Sequence, residues 1–238
     1  MAARSWEDIV EIFTLCDKGE GTIGYQEIGD KVNYAFEERP DGVLYIYFEP
    51  SNGARDWINN FDFWKLDADA VTPYKDMPLE YKVHGGFLKC WKQVEPIIVE
   101  KILEPAPGYP EGAYKWNTIV VVGYSHGAAL AAFAHECCWF HRADIRKNIW
   151  GIGFDGPRIY AGYWVKRKLK ERWAQFYMFR NGRDVVTHVP PLWFGFRHVG
   201  NMIKIGKKQK VNGIDAHRPE NITKSLREWV DRYRKRSR

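Results

Sequence analysis

Gly123-Tyr124-Ser125-His126-Gly127 sets a serine midway between two glycines, each two residues away. A serine hydroxyl is a weak nucleophile until a neighbouring base takes its proton, and that chemistry needs the oxygen held out on a sharp turn. The flanking residues fit such a turn. Thr118, Ile119, Val120, Val121 and Val122 before it suit a strand buried on both faces. Ala128-Ala129-Leu130-Ala131-Ala132-Phe133-Ala134 after it are helix formers, mostly with small side chains. The two glycines let strand and helix pass without a clash, Ser125 Oγ stands above the sheet edge, and the His126 N–H faces a developing oxyanion. The alternative is a tight strand-to-helix turn in another α/β protein, with Ser125 merely capping the helix.

A serine nucleophile also needs a base within hydrogen-bond reach and a carboxylate to orient that base. On a sheet of this type they follow in the chain order serine, acid, histidine. Asp184 follows a strand and His217 lies in a loop after the last strand, so the order fits. Each role has rivals. Asp155 also follows a strand and would be the acid in a variant arrangement. His188 and His198 compete with His217 as base, or are satisfied structural histidines. His126 reads as pocket wall, His84 as a loop-shaping residue beside Gly85-Gly86, and His135 and His141 as structural or exposed. The second oxyanion donor belongs to a loop after an early strand, where Ser51 is the candidate; its other reading is a turn residue after Pro50.

The elements around these residues alternate. Ser5 caps an amphipathic helix to Cys16, and Ile23 to Glu38 is read as a second helix that ends at the turn Arg39-Pro40-Asp41-Gly42. Val43–Phe48 is an apolar strand. Trp57, Ile58 and Phe61 follow at helical spacing, Phe87–Leu103 is a helix around Pro96, and Pro105–Gly112 is a surface loop. Beyond the serine turn come a strand at Asn148–Phe154, a basic helix at Tyr163–Trp173, a strand at Gln175–Arg180, an extended run at Val185–Pro191 and an edge strand at Met202–Ile205. Glu220–Tyr233 is a terminal helix. Strands alternating with helices predict an α/β fold with a mostly parallel central sheet flanked by helices. A length of 238 residues fits one such domain over 1–238, with a basic C-terminal tail at 227–238.

Composition narrows the function classes. The chain carries 11 Trp, 13 Tyr and 13 Phe, more rings than its core needs, so some are expected to line a pocket or a partner surface. The net charge of +6 is uneven: Arg227, Arg232, Arg234, Lys235, Arg236 and Arg238 crowd the C-terminus, behind Lys204, Lys207, Lys208 and Lys210. This is read as a solvated face and frayed tail, or as attraction to an anionic surface, with no specific nucleic acid as partner. Cys16, Cys90, Cys137 and Cys138 show neither disulfide nor zinc spacing, and no metal is expected. Glu7, Asp8 and Glu11 stand where a secretory peptide needs an apolar core, and no run is long enough to span a bilayer, so the expected location is a reducing cytoplasm, with export by some other route left open. Oligomeric state is not written in the residues.

Several of these stretches, in the same order, resemble the class 3 (fungal-type) lipases of the α/β-hydrolase fold. Phe48-Glu49-Pro50-Ser51 with Asp56-Trp57-Ile58 is similar to the family's F-R-G-T/S…D-W block. Val83-His84-Gly85-Gly86-Phe87 resembles its V-H-x-G-F, and Gly123–Gly127 its nucleophile elbow. Gly156-Pro157-Arg158-Ile159 resembles G-x-P-R-V. Asn181–Pro191 resembles N-x-x-D-x-V-x-x-x-P-P, and Phe196–Gly200 the aromatic-x-H-x-G that follows. The resemblance implies Ser125 as nucleophile, Asp184 as triad acid, His217 as triad base, Ser51 and the His126 backbone as oxyanion hole, and His198 as a non-catalytic family histidine. It implies a serine carboxylic-ester hydrolase, lipase- or esterase-like, acting on ester or lipid substrates without metal or organic cofactor. Glu49 and Pro50 depart from the family's arginine and glycine. That departure motivates a second reading, a catalytically inactive binding module. The basic tail motivates a third, a phospholipase at anionic membranes. Trp57, Ile58, Phe61, Phe63 and Trp64 make the segment after Ser51 apolar enough to be a lid, or ordinary core. Contact with a lipid interface follows from the lid reading.

Overall fold

The computed structural model describes residues 5–18, 23–29, 32–49, 65–67, 82–108, 112–162, 170–206 and 212–236. Ser51, the apolar run Trp57 to Trp64, most of the basic 163–173 segment and the Lys207–Lys210 turn lie outside them.

Ser5 caps the entry of the first helix through a reciprocal box with Asp8, and α1 runs Ile9–Lys18. Then come β1 (Gln26–Ile28), β2 (Val32–Glu38), β3 (Val43–Phe48), β4 (Lys65–Asp67) and β5 (Lys82–His84), and α2 (Gly85–Ile102) with Pro96 inside it. The centre of the chain is β6 (Thr118–Tyr124), α3 (His126–His141) and β7 (Ile149–Phe154). They are followed by β8 (Tyr160–Ala161), β9 (Phe176–Asn181), β10 (Arg183–Asp184), β11 (Phe196–Arg197), β12 (Asn201–Ile205), β13 (Asn212–Gly213) and α4 (Pro219–Arg236).

The main sheet has the order β1-β2-β3-β6-β7-β9-β12 among the described residues. It is parallel from β3 to β12, with β1 and β2 added antiparallel at one edge. Every residue of β6 is buried, as the β-branched run predicts for a central strand. Strand alternation divides the core in two. Leu44, Ile46, Ile119 and Val121 pack with α2 and α3, whereas Val43, Tyr45, Val120 and Val122 pack with α1 and α4. Many of the rings are spent here: Tyr45, Tyr47, Trp91, Trp116, Tyr160 and Trp173 are all core.

Three sequence expectations are corrected. Ile23 to Glu38 is not a helix. Gly29 takes φ +61° between β1 and β2, and β2 pairs with β3 from Tyr34↔Phe48 to Glu38↔Leu44, so pairing with an apolar neighbour overrides helix propensity. Residues 170–173, the described end of the expected basic helix, are turn. Val185 to Pro191 is not extended throughout, because Val186–His188 forms a turn of 3₁₀ helix.

Candidate active site

Ser125 sits between the last residue of β6 and the first of α3, at φ 56° and ψ −119°, a region side chains avoid. Close backbone passage holds it there. A Cβ on Gly123 would meet Gly127 O at 2.1 Å, and one on Gly127 would meet Phe48 O at 2.1 Å. Gly123 is therefore required by the crossing of β6 and α3, and Gly127 by the passage of α3 against the end of β3. The Ser125 N–H donates to Phe154 O across 2.9 Å, tying the turn to the end of β7. The His126 N–H opens α3, where first-turn amides lack helical acceptors and favour negative charge.

His217 closes a 3₁₀ turn, Asp215–His217, just before α4. Its Nε2 lies 2.7 Å from Ser125 Oγ and its Nδ1 2.6 Å from Asp184 Oδ2. With the proton on Nδ1 donating to the carboxylate, Nε2 is left to accept from the serine hydroxyl. All three side chains are buried. Asp184 Oδ1 accepts from the Val186 N–H at 2.9 Å, so both carboxylate oxygens have donors. The parallel pairing of β10 with β13 carries the histidine loop to the acid.

The loop is pinned by three further groups. The Tyr124 hydroxyl donates to His217 O, Asn181 Nδ2 donates to Ala216 O at 2.7 Å, and Ser225 Oγ on α4 holds Asn181 Oδ1 at 2.6 Å. Burial pushes the Tyr124 hydroxyl far up, so it stays a donor. Tyr124 is the x of the elbow, and nothing in its spacing marked it for this role.

The rivals lie elsewhere. His188 Nδ1 donates to Asp184 O at 2.7 Å and its Nε2 faces Arg180. His198 Nε2 donates to Thr187 O at 2.8 Å, and burial pushes it down to about 4. His126 packs beside Phe87, and His84 lies between Phe87 and Phe196. His135 is buried on α3 with Nε2 donating to Arg172 O at 3.1 Å. Asp155 is close to the site, and atoms of Asp155, Asp184 and His217 lie within 4.8 Å of one another. Ser51 is outside the described residues.

With this geometry, the likeness to known proteins is informative. The family model for lipase (class 3) matches residues 45–194, more than half of the chain. A lipase from Rhizomucor miehei is 29% identical over 163 residues, covering 66% of this chain and 40% of that protein. Secreted mono- and diacylglycerol lipase 1 from Fusarium solani is 30% identical over 153 residues, covering 62% and 39%. The chain thus spans about two fifths of the length of the curated relatives it matches. Among solved structures, the R. miehei lipase propeptide complex superposes with a TM-score of 0.66 at 21% identity over 88% of this chain and 72% of that one. Lipase II from Rhizopus niveus superposes with 0.57 at 27% over 74% and 62%. The fold is that of the α/β-hydrolase lipases.

The expected cytoplasmic location is corrected by these relatives, because those from F. solani and Malassezia restricta are named as secreted lipases. Acidic residues near the N-terminus and free cysteines are too weak a signal of compartment. No helix among the described residues is long and apolar enough to cross a membrane. The chain belongs to the class 3 lipase family.

Proposed function

We propose that this chain is a serine carboxylic-ester hydrolase, a lipase or esterase acting on acyl esters, with Ser125, His217 and Asp184 as its triad. One observation carries the reading: His217 bridges Ser125 Oγ at 2.7 Å and Asp184 Oδ2 at 2.6 Å through its two ring nitrogens. In this scheme His217 Nε2 takes the Ser125 proton as Oγ attacks the ester carbonyl, and Asp184 stabilises the imidazolium that forms. The His126 N–H and Ser51 are the proposed donors to the tetrahedral oxyanion. The imidazolium then protonates the leaving alcohol, and water, activated by the same histidine, releases the acid. The scheme uses protein groups and water only.

The test is labelling by a fluorophosphonate together with nitrophenyl-ester hydrolysis, run on the native chain, Ser125→Ala and His217→Ala. Labelling and turnover confined to the native chain are expected, with a loss of roughly 10³-fold or more in each variant. Full hydrolysis by Ser125→Ala, or labelling that survives it, defeats the mechanism. A native chain that never labels, even in detergent, favours the inactive binding module.

Contact with a lipid interface is part of the proposal and rests on a second observation. Leu192, Trp193 and Phe194 stand out on one 3₁₀ turn, with Trp193 83% exposed. An exposed tryptophan flanked by apolar side chains suits the boundary between water and acyl chains. Trp193→Ser is expected to weaken binding to a lipid emulsion while leaving hydrolysis of a soluble ester unchanged, and equal binding by both chains would count against the contact.

A further inference from the structure

Asp155 is a fully buried carboxyl that the ester-hydrolysis scheme does not use. It stands just past β7, between the serine turn at the end of β6 and the strand β9 that leads to Asp184. Its backbone is held at φ +46°, with its N–H donating to Phe179 O at 2.8 Å. Asparagine and aspartate are the non-glycine residues that tolerate that region best. Its Oδ1 accepts from the Asn181 N–H at 2.6 Å. Its Oδ2 meets no hydrogen-bond donor among the described residues. The charged and titratable groups facing it are Asp184, Tyr124, His217 and Arg180.

Ionised, Asp155 would bury an undonated oxygen beside a second carboxylate, and two close carboxylates cannot cheaply share two charges. Protonated, it becomes a donor, and Asp184, with a carboxylate oxygen within 4.8 Å, is the acceptor at hand. We propose that Asp155 is a positioning residue for the triad: a neutral carboxylic acid that shares its proton with the Asp184 carboxylate, so that Asp184 keeps one orientation toward His217 and carries the pair's single negative charge. The inference rests on the Ser125–His217–Asp184 reading above. Burial, then the Asp184 charge, hold the Asp155 carboxyl well above the usual carboxylate range, in agreement with the geometry. Asp184 then accepts from three directions, with His217 Nδ1 and the Val186 N–H as the other two. A carboxylate so held is pre-organised before substrate arrives.

The proposal separates two substitutions that a second, ionised acid would not. Asn at 155 reproduces the neutral acid: its carbonyl accepts from Asn181 and its amide donates to Asp184. Gly at 155 tolerates φ +46° but removes the donor. Ester hydrolysis would be measured as kcat/KM against pH for the native chain, Asp155→Asn and Asp155→Gly. Asp155→Asn is expected within about threefold of native with its acidic limb unmoved. Asp155→Gly is expected to lose about tenfold or more, with the limb moved to higher pH because an Asp184 with one donor fewer holds the imidazolium more tightly. An acidic limb moved down by about one pH unit in Asp155→Asn would show that Asp155 carries the charge and would overturn the proposal. So would an Asp155→Gly variant indistinguishable from native.

An infrared difference spectrum at neutral pH gives a readout independent of turnover. A protonated carboxyl C=O band present in the native chain and lost in Asp155→Asn supports the shared proton, and its absence refutes it. Fluorophosphonate labelling of Ser125 in the native chain keeps the two readings apart. Without labelling the triad reading falls and takes the positioning role with it. With labelling, a failure of the Asp155 variants or of the infrared band is a failure of this inference alone.

Discussion

His217 Nδ1 lies 2.6 Å from Asp184 Oδ2, although 33 residues separate them, because the short strand β13 runs parallel beside β10. The pair is therefore assembled by strand registry, Arg183↔Asn212 and Asp184↔Gly213, and its geometry is as rigid as that pairing. Asp184→Asn keeps the shape and removes the charge, turning the side chain into a group that can leave the imidazole in the wrong tautomer. We expect kcat to fall by roughly 10³–10⁴-fold with an unchanged thermal midpoint, checked by ester hydrolysis and calorimetry on one preparation. A fall of tenfold or less would mean that another group orients His217.

Tyr124 offers a milder perturbation. Its hydroxyl donates to the buried His217 carbonyl, and its ring centroid lies 5.1 Å from that of the imidazole. Tyr124→Phe retains the ring and leaves a buried carbonyl without this donor, a change worth about 1–3 kcal/mol. The expected outcome is a lower midpoint in urea together with a reduced kcat and little change in KM. Unaltered stability would show that the hydroxyl does not pin the loop.

His135 gives the fold a dependence on pH that is separate from catalysis. Burial pushes it down to about 4, so the folded chain holds it neutral where an unfolded chain would protonate it. Its folded pKa is depressed below the unfolded value, near 6.5. Its contribution is thus complete above about pH 6.5 and is lost as pH falls toward 4, by at most about 3 kcal/mol. Urea midpoints measured from pH 7 to pH 4.5 should decline less steeply in His135→Gln than in the native chain. Parallel declines would rule out His135 as the source.

The serine turn is the most legible part of the sequence, because Gly123 and the flanking residues report local geometry. Gly123 is needed by Gly127 four residues on, whereas Gly127 is needed by the distant end of β3 at Phe48, and β6 advertises its burial through an unbroken β-branched run. The strands β1 and β2 within Ile23 to Glu38 escape a local reading because what decides them is remote. Val32 and Tyr34 face the core only once β2 has paired with β3, and a window of local apolar spacing does not contain that partner. Asp184 and His217 could be placed by chain order, but the choice among His188, His198 and His217 needed the β10–β13 pairing. Tyr124 has no local signal, and Asp155 shows only as a rival acid after a strand, since the importance of both lies in what faces them across other strands.

Ser125 holds φ 56°, a backbone state that a side chain resists and glycine accepts. The residue that would perform the chemistry is thus also a point where the fold is under tension, and replacing it with glycine would relax that tension while removing the nucleophile. Selection for heat resistance alone would drift toward inert proteins at this position, so any thermal engineering of this chain has to score turnover in the same round.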